Sequence, residues 1–313
     1  MLSVQDLGRF NAQHLGFSAS GVADEHAFLS GNQILKNDKN SPALEVTFGQ
    51  LTFTVNCECN IVITGADCST KINKTPIKHW QMQTLYKGDI VELLVPRSGI
   101  YSYICIAGGI QANSFLMSTC SIPNALQEQI CNQEDNNILT YFLSKKPKEQ
   151  NNSEENKIDN NQLIGINNQP HNYYFKSTKL SVHTIRFIPH QFWFELTEQA
   201  QFKILNQDYK IQSNSNKMGY RLKGESPIKS YVGNLLSKPV TLGAIQIPSD
   251  GQPIILMKDR QTIGGYPTLG NVIQVDLPRL AQLNAHQKIQ LLPTTIEHAQ
   301  AQLSAFYARL TNS

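Results

Sequence analysis

The chain has 313 residues, with 27 Lys and Arg against 24 Asp and Glu and a formal net charge of +3. With only 16% of residues charged, a nucleic-acid binder working through a dense basic surface is excluded. At roughly 100–200 residues per domain, the length predicts about two domains, each large enough to bury a core without disulfides or a structural metal.

Asn and Gln contribute 27 residues each, and these amides account for the low charged fraction without making the chain hydrophobic. The opening MLSVQDLGRF has no basic start followed by an apolar run, and no stretch of about 18 apolar residues is present to span a bilayer. A cytoplasmic protein without a membrane span is expected. Six cysteines (Cys57, Cys59, Cys68, Cys105, Cys120 and Cys131) are too sparse for a disulfide scaffold and read as reduced thiols. Cys57 and Cys59 share one strand face with no second Cys or His pair nearby, so no metal site is expected.

In chain order, the first helix is expected at Asp24–Leu35, with Asp24 capping its first turn. Leu44–Asn56 alternates apolar and polar residues around a glycine. NIVITGAD, DIVELLV and YSYICIAGG are short β-branched or aromatic runs bounded by Gly, Asp or Pro. From Ser144 to His171 almost no apolar residue occurs; such a segment cannot offset its ordering entropy and reads as a linker or insertion. HTIRFIP, QFKILNQDYKIQ, VTLGAIQIP, PIILMKD and NVIQVDL then resume the strand pattern, with Ser249-Asp250-Gly251 as a turn signal. A short helix is expected near Pro278–Leu283. A longer one is expected at Thr295–Leu310, where Ile296, Ala299, Leu303, Phe306 and Leu310 recur at helical spacing. The predicted fold class is mainly β, a β-rich α+β chain of barrels or sandwiches with few helices. Its expected parts are 1–143, the linker 144–171, a second β domain over 172–293 and a C-terminal helix over 294–313.

No P-loop, HExxH, GxSxG or GxGxxG motif occurs, so chemistry must come from loops that gather glycine and polar residues. Four such clusters exist. QDLGR (Gln5–Arg9), Gly16, Gly21 and Asp24 read either as a helix N-terminus offering N–H groups to an anion or as a glycine-rich turn with a capping Asp. ITGAD presents Asp67 as a base or ligand acceptor, or as ordinary turn chemistry. NKMGYRLKG (Asn216–Gly224) carries Met218, Tyr220 and Arg221. The planar fork of Arg221 suits a carboxylate or phosphate and Tyr220 an apolar ring; the plainer reading is a core Tyr beside a surface Arg. The richest block, Ile245–Pro267, brings Asp250, Gln252, Asp259, Arg260 and Gln261 to a Gly264-Gly265-Tyr266-Pro267 turn, where paired glycines let backbone approach a ligand.

Together with GNQILKNDKNSPALE (Gly31–Glu45) and IAGGI (Ile106–Ile110), these blocks resemble the biotin-dependent carboxyltransferase family. That family is also described as allophanate hydrolase subunit 2, kinase-inhibitor antagonist KipA and the C subunit of bacterial 5-oxoprolinase. The resemblance covers residues 2–121 and 180–292 with the blocks in order. It implies two cyclophilin-like β-barrel domains. It also implies a bacterial hydrolase subunit, inactive alone, that joins a KipI-like and a LamB/YcsF-like subunit in ATP-dependent opening of 5-oxoproline to glutamate, with ATP acting through the complex. On this reading Asp67, Asp250, Asp259 and Arg221 are the catalytic candidates, as bases, water-orienting groups or charge stabilisers. Asp24, Met218, Tyr220, Gln252, Arg260, Gln261, Gly264, Gly265 and Tyr266 are the candidates for holding substrate or cofactor.

The same resemblance carries two alternatives. One is carboxyl transfer to urea or another small amide, with biotin brought by a partner protein because no AMKM-type attachment motif occurs here. The other is a non-enzymatic KipA-like regulator that binds a KipI-like kinase inhibitor. Some positions depart from the family. LMSTCS (Leu116–Ser121) stands where MGSRST is usual, Pro189-His190-Gln191 replaces GPQ, Lys217 replaces the Arg before MGYRL, and 122–170 lacks the FGG and GD elements.

Overall fold

The computed structural model describes residues 1–121, 182–228 and 236–311. The expected linker 144–171, Cys131 and the divergent stretch 122–170 lie outside the described residues.

The N-terminal part carries β1 (Leu2–Gln5), β2 (Ala43–Thr47), β3 (Leu51–Thr54), β4 (Cys59–Asp67), β5 (Lys71–Ile72), β6 (Thr75–Pro76), β7 (Met82–Leu85), β8 (Ile90–Leu93) and β9 (Ser98–Ile106). They pair as a five-stranded sheet, β1-β2-β9-β4-β7, and a four-stranded sheet, β3-β8-β5-β6. Helix α1 (Glu25–Ile34) lies on β4 and β9. Alternation along β9 explains why it is buried on both faces. Tyr101, Tyr103 and Cys105 face the core that contains Ala27 and Phe28, whereas Ile104 and Ile106 face the core shared with Val91 and Leu93 of the second sheet. Gly31 permits the close approach, since a Cβ there would lie 2.6 Å from the Cys105 sulfur.

The C-terminal part holds β10 (His183–Pro189), β11 (Tyr209–Ile211), β12 (Gly219–Lys223), β13 (Lys238–Pro239), β14 (Ala244–Gln246), β15 (Ile254–Leu256), β16 (Ile263–Gly264), β17 (Thr268–Val272) and β18 (Lys288–Pro293). Seven of them close a barrel in the order β10-β17-β14-β15-β12-β11-β18, sealed by parallel pairing of β10 with β18. Closure leaves the barrel no free edge. The two short strands β13 and β16 form a separate ribbon.

Among the described residues the chain is mainly β, as expected, with five α-helices. Asp24 caps α1, and the two later expected helices are α4 (Leu277–Ala281) and α5 (Ile296–Thr311). Helix α3 (Glu198–Leu205) differs from the reading of QFKILNQDYKIQ as strand throughout, and α2 (Gln191–Glu195) lies where no element was expected. Here the Thr197 hydroxyl accepts the Ala200 N–H, starting a helix that ends before the three strand residues of β11. No described helix is long and apolar enough to cross a membrane.

One core joins both parts. Val22, Phe28, Tyr101 and Tyr103 pack in the same cluster as Ile185, Phe187, Tyr220, Leu269 and Leu280. Burying a side chain the size of Phe28 stabilises by about 1.5–3 kcal/mol, so this shared surface fixes how loops of the two parts meet.

Candidate functional site

The seam between the parts is polar at its centre. In β2, Leu44 and Val46 enter the N-terminal core, so Glu45 points the other way, and it is nevertheless only 1% exposed. Its Oε2 accepts the Ala23 N–H at 2.8 Å and the Tyr103 hydroxyl at 2.7 Å, while Oε1 accepts Lys217 Nζ at 2.8 Å. The Tyr103 oxygen in turn accepts the Asp24 N–H at 2.8 Å. Burial, with the carboxylates of Glu45 and Asp24 nearby, holds the Tyr103 hydroxyl well above its ordinary range, so it stays a donor. Burial alone would lower the Lys217 ammonium, but Glu45 and Asp259 outweigh it and raise it above 10.5.

Asp24 is fully buried and both its oxygens are engaged. Oδ1 accepts the Ala27 N–H at 2.9 Å, capping α1, and Oδ2 accepts Gln282 Nε2 at 2.7 Å. Gln282 also accepts the Ile100 and Tyr101 N–H groups at 2.7 and 3.0 Å. The positive end of α1 therefore faces its own capping carboxylate.

The Met257–Arg260 loop is wedged into this seam. The Lys217 carbonyl accepts the Asp259 N–H at 2.7 Å, and the Met218 carbonyl accepts that of Met257 at 3.0 Å. From the N-terminal part, Ser18 Oγ donates to the Lys258 carbonyl at 3.1 Å, and Glu25 lies 3.6 Å from Lys258 Nζ. Arg260 is 9% exposed, yet its guanidinium makes one hydrogen bond, Nε–H to the Val240 carbonyl at 3.3 Å, and no ion pair among the described residues. Burial lowers its pKa. Gln246, on β14, is 2% exposed and its Nε2 has no acceptor among the described residues. A Cβ on Gly264 would lie 2.7 Å from Gln246 Nε2, 2.9 Å from Gln261 Nε2 and 3.2 Å from Val240 Cγ1. Gly264 has no positive φ, so the glycine is required for space. A guanidinium and a free amide N–H are each donors of the kind that suit an anion or a polarised carbonyl oxygen.

Other sequence candidates lie elsewhere. Asp250 and Asp259 sit beyond opposite ends of β15, and exposed Asp250 accepts the Gln252 N–H at 3.0 Å within its own turn. Gln252 Oε1 accepts the Gly224 N–H at 2.8 Å, tying two loops. Asp67, exposed at the end of β4, accepts the Ser69 N–H at 3.1 Å. On β12, Tyr220 is buried in the barrel and donates to the Ala281 carbonyl at 2.8 Å, so its neighbour Arg221 faces solvent. Met218 and Tyr266 stay half-exposed, Gln261 is exposed and Gly265 lies partly covered beside Gly264.

Sequence reasoning missed Glu45 and Gln246. Each is a lone polar residue between apolar neighbours in a short strand, LEV and IQI, a signal open to inspection. It took in Asp6 and Arg9 only as part of the QDLGR run, with no role of their own. Asp6 is buried and accepts from Gly8 N, Ser118 Oγ, Cys120 Sγ, Thr119 N and Thr119 Oγ1, at 2.8, 2.7, 2.8, 2.7 and 3.1 Å. Burial would raise this carboxyl, but these hydrogen bonds outweigh it and hold the pKa low. Thr119 and Cys120, which depart from the family's MGSRST, thus join Ser118, which matches it, in the Asp6 cradle. Arg9 donates to the Cys120 carbonyl and stacks over Phe115 at 5.9 Å.

Comparison with known proteins places this geometry in context. A family model described as carboxyltransferase domain, subdomain A and B, matches residues 15–293. The chain is 31% identical over 305 residues to the C subunit of 5-oxoprolinase from Haemophilus influenzae, covering 95% of this chain and 89% of that protein. It is 25% identical over 319 residues to urea amidolyase of Saccharomyces cerevisiae, covering 96% of this chain but 16% of that one. The crystal structure of the K. lactis urea amidolyase superposes with a TM-score of 0.77 at 21% identity, over 99% of this chain and 19% of that one, which shows a shared fold.

Proposed function

We propose that this chain, which belongs to the carboxyltransferase domain family of subdomains A and B, works as the C subunit of an ATP-dependent 5-oxoprolinase. The observation that carries the reading is its 31% identity to a 5-oxoprolinase C subunit over 95% of its length. Two further subunits, one KipI-like and one LamB/YcsF-like, complete the enzyme in the cytoplasm, and ATP is used by the assembled complex. A lactam is a poor electrophile until its oxygen is activated, so the donors at Arg260 and Gln246 would face the developing negative charge. Asp259, whose N–H is held by the Lys217 carbonyl, would orient water or take a proton. The described residues of the two parts would supply the two walls of the site.

Mixing the purified chain with its two companion subunits, 5-oxoproline and ATP should yield glutamate, and the chain alone should yield none. If the complete mixture makes no glutamate, the reading is wrong. Similarity to a urea amidolyase over 96% of the chain supports a second reading, carboxyl transfer to a small amide. The half-exposed Met218 and Tyr266 suit an apolar ring face, so they would border a biotin carried by a partner. Transfer of labelled carboxylate to urea, without glutamate formation, would select it.

A further inference from the structure

The Met257–Arg260 loop is tied to the barrel by main-chain bonds to the Lys217 and Met218 carbonyls. Among the described residues, its hydrogen bond and its ion pair to the N-terminal part both run through Lys258. Ser18 Oγ donates to the Lys258 carbonyl at 3.1 Å, and the Lys258 ammonium lies 3.6 Å from Glu25 Oε2. The two side chains are 9% and 16% exposed, so salt screens the pair only weakly. At 3.6 Å the contact is an ion pair without a hydrogen bond, and its strength depends on where the carboxylate stands. The other oxygen of Glu25 is fixed from a third direction. Tyr307, on the C-terminal helix α5, donates its hydroxyl to Glu25 Oε1 at 2.9 Å and accepts Gln274 Nε2 at 3.2 Å. Burial, and then the Glu25 charge, hold this phenol above its ordinary range, so it stays a donor. The neighbouring Phe306 packs on His26, the residue after Glu25, with ring centroids 5.6 Å apart. A polar and an apolar contact thus join α5 to the first turn of α1.

We propose that Tyr307 is a positioning residue for the seam: through Glu25 and Lys258, the C-terminal helix sets where the Met257–Arg260 loop stands against the N-terminal part. The hydroxyl selects one rotamer of the Glu25 side chain and so keeps the carboxylate within reach of the ammonium. The bearing on turnover rests on the function proposed above, because the same loop carries Asp259 and Arg260.

Two measurements on the full chain test the relay without any turnover: hydrogen exchange at the Asp259 amide, and acetic anhydride labelling of Lys258 read by peptide mass spectrometry. Tyr307→Phe keeps the ring and removes the hydroxyl. We expect it to speed both by about twofold to tenfold, the range of one hydrogen bond. Glu25→Gln should speed the labelling at least as much, because it also removes the charge. In a Lys258→Met chain, Tyr307→Phe should leave Asp259 exchange as it was, since the link to the loop is already cut. A tyrosine that only braces its own helix would lower the melting temperature and leave Lys258 and Asp259 unmoved. That outcome overturns the proposal, as does an effect on Asp259 that persists without Lys258. In the reconstituted complex, Tyr307→Phe should lower kcat by about twofold to tenfold with KM for 5-oxo-L-proline unchanged. Parental turnover despite a loosened loop overturns the role in the site. A parent complex that makes no glutamate, alongside the expected exchange and labelling changes, would overturn the proposed function and leave the positioning intact.

Discussion

Replacing Lys217 by Met tests whether the Glu45–Lys217 pair locks the two parts together. The pair spans 172 residues of sequence at 2.8 Å, with side-chain exposures of 17% and 2%, so both charges lie out of bulk water. Breaking one side of a buried pair costs about 3–5 kcal/mol, because the remaining charge is left uncompensated. The Ala23 N–H and Tyr103 hydroxyl still bind Glu45, which favours the lower end. With a melting entropy of about 2.1 cal/mol/K per residue, 313 residues melting as one unit lose roughly 5–8 °C for that cost. Differential scanning calorimetry of Lys217→Met, Glu45→Gln and the double variant reads it, with the double variant less destabilised than the sum of the singles. The sign of the pH dependence is also set. Lys217 is raised above its ordinary 10.5, so its contribution is complete below that pH and is lost as pH rises through the folded-state value. A melting shift under about 1 °C for Lys217→Met, or strict additivity in the double variant, would refute the coupling.

Two further outcomes follow from single residues. His26 packs between Trp80 and Phe306, with ring centroids 5.6 Å away in each case, and burial followed by the Arg309 charge pushes its pKa from 6.5 down to about 4. Folding therefore resists its protonation: stability should fall by about 3 kcal/mol as pH drops from 6.5 to about 4 and level off below, and His26→Leu should remove that slope in melting curves. Parallel profiles for the two proteins would show that His26 is not the group responsible. Met117 is 85% exposed and sits at φ 64°, where a side chain is strained. Met117→Gly, which restores the residue usual in the family, should raise urea stability by about 1 kcal/mol; an unchanged midpoint would mean the turn carries no strain.

The strands, α1 with its Asp24 cap, and the two later helices were legible because alternation, helical spacing and capping act over a few residues. Helix α3 was hidden by the same locality: QFKIL has a strand-like composition, and the Thr197 cap is the local signal that marks it as helix. The blocks that identify the family were legible for a different reason, since they are contiguous runs such as Ile245–Pro267.

What each polar group does within those blocks is a property of what the fold sets beside it. Asp24 could be read as cap or ligand until Gln282, 258 residues away, was found on its second oxygen. Glu45 and Lys217 looked unrelated until the shared core brought β2 against the start of β12. Arg221 and Arg260 have the same chemistry on paper, yet strand alternation turns one to solvent while the seam buries the other without a carboxylate. Strands, caps and family membership are written in short runs of neighbouring residues. Which charges are compensated is settled by the folded arrangement, because electrostatic pairing depends on distance in space and not on position in the chain.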